Sequence, residues 1–176
     1  VLHDALAWAA QGLRLWLVSV ARTWGTAPRP VGSWAVLAGD GRISGSVSGG
    51  CIEDDLVARM SAGELDRSLP FLLRYGVTAD EAHRFGLPCG GTLELVVEPN
   101  PPLSMLRELQ QRLQAGERLL RSVDLANGAI DCRAARASDE SALLAQQFRA
   151  VLGPRWRLLI VGAGQIARYL APMATA

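Results

Sequence analysis

The last twenty residues constrain the domain organisation most strongly. "RLLIVGAGQIARYLAPMATA", residues 157–176, predicts an apolar strand, a glycine turn and the start of a helix. Gly162, Gly164 and Ala167 stand in a G-x-G-x-x-A pattern, in which the glycines permit a tight turn and a pyrophosphate rests on the helix N-terminus. The acidic residue that completes such a site would lie about 20 positions further on, past Ala176. NAD(P) or another nucleotide is therefore an option that this segment leaves open.

A Rossmann-type unit at one end implies that the preceding residues form a domain of their own. With 49% hydrophobic and 20% charged residues, the chain can build a core. The predicted fold class is α/β: a mixed α+β domain over 1–152, with an internal joint near 99–102, a linker at 153–156 and an incomplete Rossmann unit over 157–176. Helices are expected at 4–13, 51–63, 78–87, 103–114 and 138–152, strands at 13–25 and 91–99, and hairpins over 34–49 and around Asn127-Gly128.

The charge balance excludes several classes of partner. The chain has 18 basic and 17 acidic residues, and its net charge of +1 does not indicate the basic surface that binds nucleic acid or an anionic membrane. No apolar run approaches the roughly 20 residues of a membrane helix. Three cysteines, an odd number without C-x-x-C spacing, favour reduced thiols and a cytoplasmic location.

The stretch "SVSGGCIEDDL", residues 46–56, places Cys51 where a helix is expected to begin. Unpaired backbone N–H groups at a helix N-terminus lower the pKa of a nearby thiol, and the thiolate is the form that binds metals. The acids of the first turn, Glu53 among them, oppose that effect. Gly49 and Gly50 leave room for a large group to approach the backbone. The alternative is a buried cysteine after a tight turn.

A second stretch, "GLPCGGTLEL", residues 86–95, places Cys89 before Gly90 and Gly91. Paired glycines can present successive N–H groups as an anion-binding nest, and the alternative is a glycine bulge. Two such thiols could face each other across one cleft. Zinc is disfavoured, because only His3 and His83 could add imidazole ligands and neither is suitably spaced.

The stretch "RTWGTAPRPVG", residues 22–32, carries two arginines around a rigid turn. Arg22 and Arg29 could clamp a phosphate group bidentately, and the alternative is two unrelated surface arginines. Trp24, between them, is expected in the core rather than as a stacking platform.

Together, these three stretches, "RYGVTADEAHRFGLPCGG" and "LLIVGAGQIARYLAPMA" resemble the XdhC/CoxI family, accessory proteins of molybdenum hydroxylases. The resemblance implies a chaperone that binds molybdenum cofactor (molybdopterin) as cargo, supports its sulfuration and inserts it into an apo-hydroxylase such as xanthine dehydrogenase. It also implies a homodimer, a C-terminal Rossmann domain and a cysteine desulfurase as a further partner. By position, Cys51 becomes the cofactor thiol and Cys89 the second candidate. The residues that would line the approach to the cofactor are Gly49, Gly50, Gly90 and Gly91, and Glu53 matches the acid of the family's first motif.

Two other functions stay open on the residues alone. One is an NAD(P)-dependent oxidoreductase with a C-terminal Rossmann domain, although the chain has no lysine and no placed proton donor. The other is a redox or persulfide-transfer module that uses Cys51 and Cys89 as a pair. For a carrier that must release its cargo, no catalytic residue is expected, and Cys51 is the candidate molybdenum ligand through the cofactor.

Overall fold

A computed structural model describes residues 1–24, 29–76, 92–154 and 159–175. The side chain of Cys51 lies outside this described part, as do Cys89, Gly90 and Gly91. The elements in chain order are α1 (Leu2–Ala10), β1 (Leu15–Trp24), β2 (Trp34–Ala38), β3 (Ile43–Gly45), α2 (Cys51–Ser61), β4 (Phe71–Tyr75), β5 (Thr92–Pro99), α3 (Leu103–Gln114), β6 (Leu119–Asp124), β7 (Ile130–Ala134), β8 (Ala142–Leu144), β9 (Gln147–Leu152) and α4 (Gln165–Thr175).

The first sheet has the strand order β3-β2-β1-β5-β4, and neighbouring strands pair antiparallel. β1 is central, and its residues from Leu15 to Ala21 are buried. Apolar side chains alternate onto both faces of a strand with this pattern, so both faces need a covering layer.

One face of the first sheet is covered by α2. Ile52, Leu56 and Met60 lie one turn apart on this helix and pack against apolar residues of β1, β4 and β5. The predicted helix at 51–63 and its buried stripe are confirmed. This packing fixes where the N-terminus of α2 lies relative to the sheet.

The opposite face is covered by α1, α3 and the second sheet, whose strand order is β7-β6-β9-β8. Leu143 and Phe148 of the second sheet pack against Ala21 and Val96 of the first. A buried ion pair adds to this contact, since Arg121 of β6 donates from Nη1 to Glu98 Oε1 of β5 at 2.9 Å. The two sheets are therefore joined by both apolar packing and a charge pair.

The prediction of a helix at 138–152 is wrong. The segment forms the β8–β9 hairpin, in which Leu143 pairs with Phe148. Phe148 and Ala150 are both buried against the first sheet, at the two-residue spacing of a strand. The local alanine and glutamine content favours a helix, but burial of this alternating face decides the structure.

Two further corrections concern the ends of the chain. α1 ends at Ala10, three residues before the predicted end, and Gly12 follows with φ at +78°. The strand predicted before the glycine turn is not formed at the described residues 159–161, where Leu159 and Val161 are exposed. A parallel strand needs neighbours that accept and donate its hydrogen bonds, and residues 159–161 have none in the described part of the chain.

The strands predicted at 13–25 and 91–99, the helix predicted at 103–114 and the two predicted hairpins match the structure. The helix predicted at 78–87 lies outside the described residues. The fold is mixed α/β, as predicted. Among the described helices, none combines the length and apolar character that a bilayer crossing requires.

Candidate functional site

The first cysteine motif forms the loop that leads into α2, residues 46–50, which we call the Cys51 loop. Gly50 is the N-cap and Cys51 is the first helical residue. Gly49 has φ at +97° and Gly50 at +154°, and both are exposed. No described atom lies within 4 Å of the position of a Cβ at either glycine. Within the described part of the chain, no residue covers the backbone of these two glycines beside Cys51.

Glu53 holds this loop from inside. Its carboxylate accepts six hydrogen bonds, three of them from backbone N–H groups at 2.8 or 2.9 Å. The donors are the hydroxyls of Ser46 and Ser48 and the N–H groups of Val47, Ser48, Gly49 and Gly50. The side chain is 7% exposed, so it is part of the loop's interior. Glu53 therefore fixes the backbone that precedes Cys51.

Burial alone would raise the pKa of Glu53, but the hydrogen bonds from Ser48, Ser46 and Val47 outweigh it and lower the pKa from 4.5 to about 2. A carboxylate with a depressed pKa stabilises the folded state above its unfolded pKa, and this contribution is lost as the pH falls through the folded pKa.

We expect the difference in free energy of unfolding between wild type and Glu53→Gln to be constant from pH 7 to about 5, and to shrink between about pH 4.5 and 2. Urea unfolding at several pH values measures it. A difference that does not change down to pH 2.5 would contradict the assigned role of the carboxylate.

Arg29 connects the preceding motif to the same loop. Its Nε donates to Ser46 Oγ at 3.3 Å, and that hydroxyl donates to Glu53 Oε1 at 2.8 Å. An exposed guanidinium therefore lies on the Cys51 side of the first sheet. It is positioned to add positive charge next to the bare glycines.

The end of β4 is tied to α2 by a hydrogen bond. Tyr75, the last residue of β4, donates its hydroxyl hydrogen bond to Asp55 Oδ2 at 2.9 Å. Asp55 lies about one turn after Cys51. Burial and this hydrogen bond raise the pKa of Tyr75, so the phenol stays protonated. Cys89 itself lies outside the described residues.

Arg22 lies on the face of the first sheet opposite the Cys51 loop. It pairs with Glu94 of β5, and the face that carries Glu94 and Val96 is turned toward the second sheet, opposite α2. Nη2 of Arg22 donates to the Leu143 carbonyl at 2.8 Å. Arg22 and Arg29 thus reach different partners, and the described contacts do not join them into the predicted clamp. The prediction that Trp24 lies in the core is wrong, since its side chain is 48% exposed.

In the glycine motif near the end of the chain, the turn and the helix are formed as predicted. Gly162 has φ at +114°, and α4 begins at Gln165, between Gly164 and Ala167. Gly162, Gly164 and Gln165 are exposed, and Ala167 is half-buried. Nucleotide binding by Gly162, Gly164 and Ala167 stays a prediction.

Cys132, which no motif explained, lies half-buried on β7 in the second sheet. Burial raises the pKa of its thiol, and the nearby Arg112 guanidinium opposes that shift only in part. Within the described residues, no three His, Cys, Asp or Glu side chains are grouped to hold a metal ion.

Comparison with known proteins bears on the same region. Residues 8–76, which include β1, the Cys51 loop and α2, match the model of the XdhC and CoxI family. The chain is 36% identical over 110 residues to the molybdenum cofactor insertion chaperone PaoD of Escherichia coli K12. That alignment covers 58% of this chain and 33% of PaoD.

The fold also matches a crystal structure from Bacillus halodurans described as a xanthine dehydrogenase, with a TM-score of 0.71 and 22% identity. The match covers 99% of this chain and 59% of that one. The chain therefore spans about a third of the chaperone and three-fifths of the crystal structure's chain. The match of residues 8–76 to the XdhC and CoxI family model, together with the identity to PaoD, confirms the resemblance found in the sequence.

Proposed function

We propose that this chain is the cargo-binding part of a molybdenum cofactor chaperone. The observation that carries the proposal is the 36% identity to a molybdenum cofactor insertion chaperone, and it is supported by the two glycines before Cys51, which no other described residue covers. The cargo is a pterin that holds molybdenum through sulfur and bears a phosphate. It is bound, protected and handed on, so the protein needs an accessible site rather than groups for a committed reaction.

Cys51 is the proposed thiol that ligates or shields molybdenum, because thiolates are soft ligands. Its backbone position at the start of α2 favours the thiolate through the unpaired N–H groups of the first turn. Glu53 holds the loop, and Gly49 and Gly50 leave the approach open. Arg29 supplies a cation for the phosphate.

Cys89 is the proposed second thiol, with Gly90 and Gly91 beside it. The hydrogen bond between Tyr75 and Asp55 supports this, because it joins the end of β4, the last described strand before Cys89 in the sequence, to the first turns of α2. Thr92, the first described residue after Cys89, opens β5 beside Trp24 of β1, at the end of the sheet where β4 ends.

The recipient of the cargo is proposed to be an apo-hydroxylase of the xanthine dehydrogenase type. Assistance with cofactor sulfuration, a cysteine desulfurase as the sulfur source, a homodimer and a cytoplasmic location belong to the same proposal. They follow from the family resemblance and from an odd number of cysteines without C-x-x-C spacing.

We expect the full-length protein, purified from a host that makes molybdenum cofactor, to carry molybdopterin, detected by the fluorescence of its oxidised pterin. We also expect the loaded protein to activate an apo-hydroxylase of the xanthine dehydrogenase type. Protein from a host that cannot make the pterin is the control. Absence of pterin from protein made in the competent host would contradict the proposal.

A further inference from the structure

A cavity of about 550 Å³ lies at the edge of the first sheet, on the face opposite α2. Its lining includes Arg22 and Trp24 of β1, Arg74 of β4, and Thr92 and Glu94 of β5. Ligand sites of small molecules commonly have volumes of about 300–1,000 Å³. The cavity is large enough for a nucleotide-sized compound, and it is separate from the Cys51 loop.

Two arginines in this cavity share one carboxylate. Glu94 is 1% exposed, and it accepts hydrogen bonds from Arg22 Nη1 at 3.5 Å and from Arg74 Nε. The described lining contains two cations and one anion, so its net charge is +1. A buried carboxylate that holds two guanidiniums orients them and leaves an excess positive charge for an anion.

Contacts with described residues use only part of each guanidinium. Arg22 engages Glu94 and the Leu143 carbonyl, and Arg74 engages Glu94 through Nε, whereas a guanidinium has five N–H groups. Arg74 is 61% exposed. Its planar guanidinium can therefore donate two parallel hydrogen bonds to the phosphate oxygens of a ligand in the cavity.

Trp24 adds a flat apolar surface beside these cations. Its side chain is 48% exposed at the end of β1, and a second cavity of about 400 Å³ continues along Trp24 and Arg22 toward Leu143. An exposed indole next to paired arginines offers a stacking surface for a planar ring.

We infer that this cavity binds a phosphate monoester carried on a flat heterocycle, with the phosphate on Arg74 and Arg22 and the ring on Trp24. Nucleoside monophosphates have this chemistry. The inference goes beyond the proposed function, because the cavity and the Cys51 loop lie on opposite faces of the first sheet.

Titration calorimetry with guanosine monophosphate on the full-length protein tests the inference. We expect guanosine monophosphate to bind at least tenfold more tightly than guanosine or inorganic phosphate. Arg74→Gln should weaken its binding at least tenfold. Trp24→Leu should weaken it about fivefold and leave the affinity for inorganic phosphate unchanged, since base–aromatic stacking contributes only to ring-bearing ligands.

Arg42→Gln is the matched control, because Arg42 is also a partly exposed arginine paired with a carboxylate, Asp40, and its loss should not change binding. We expect equal affinity in cofactor-loaded and cofactor-free protein, because the cofactor is placed on the opposite face of the sheet, and competition between guanosine monophosphate and the cofactor would overturn the inference. The inference is overturned if guanosine monophosphate binds no more tightly than guanosine, or if Arg74→Gln and Arg42→Gln bind it alike.

Discussion

Replacing Glu98 with alanine is expected to lower the free energy of unfolding by about 3–5 kcal/mol. Arg121, its partner, is fully buried, and the Glu98 side chain is 3% exposed. The Nε of Arg121 has no hydrogen-bond partner among the described residues, so the guanidinium depends on Glu98 for its paired charge. Without that carboxylate, a buried cation is left between the two sheets.

Denaturant unfolding of Glu98→Ala, of Arg121→Met and of Arg121→Met with Glu98→Leu measures this effect. The double variant removes both charges and is expected to be closer to wild type than either single variant. Glu108→Ala is the control, since it breaks the pair of Glu108 and Arg112 at the surface and should cost less than about 1 kcal/mol. Equal costs for Glu98→Ala and Glu108→Ala would contradict the proposed weight of the buried pair.

Glu53→Ala is expected to have the second-largest effect, a loss of about 2–4 kcal/mol at pH 7 and faster exchange of the amide hydrogens of Val47, Ser48 and Gly50. The alanine variant removes the acceptor of the six hydrogen bonds that the loop donates to Glu53. The residues before Cys51 then lose their fixed conformation. We therefore also expect weaker binding of the cofactor.

Asp54→Ala provides the matched comparison, because it removes the same charge from the next position of the same helical turn, where the side chain is exposed. It should cost less than about 1 kcal/mol and leave amide exchange in the loop unchanged. If Asp54→Ala accelerates exchange as much as Glu53→Ala does, the effect comes from helix charge and not from the hydrogen bonds.

Much of the fold was predictable because local patterns and burial agree. The buried stripe of α2 follows from Ile52, Leu56 and Met60 at helical spacing, and the hairpin at Asn127-Gly128 follows from its turn residues. The prediction for 138–152 failed because this segment forms strands only where Phe148 and Ala150 pack against the first sheet. Sequence periodicity does not reveal that contact.

The candidate site was predictable in position but not in its contacts. The sequence placed Cys51 and the two glycines at a helix start, and the structure confirms that backbone. The role of Glu53 was missed, although an acid at the third helical position is a known signal for a bond back to the N-cap N–H. The partner of Arg22 could not be found, since Glu94 lies 72 residues away in the chain.

We propose that the thiol at the start of α2 holds molybdenum cofactor, and equilibrium binding of the cofactor to three cysteine variants tests this proposal most directly. Cys132→Ala is the internal control, because this half-buried thiol lies in the second sheet and has a raised pKa. We predict at least tenfold weaker binding by Cys51→Ala, a smaller loss by Cys89→Ala and wild-type affinity for Cys132→Ala. Wild-type affinity in both Cys51→Ala and Cys89→Ala would contradict the assignment of the site.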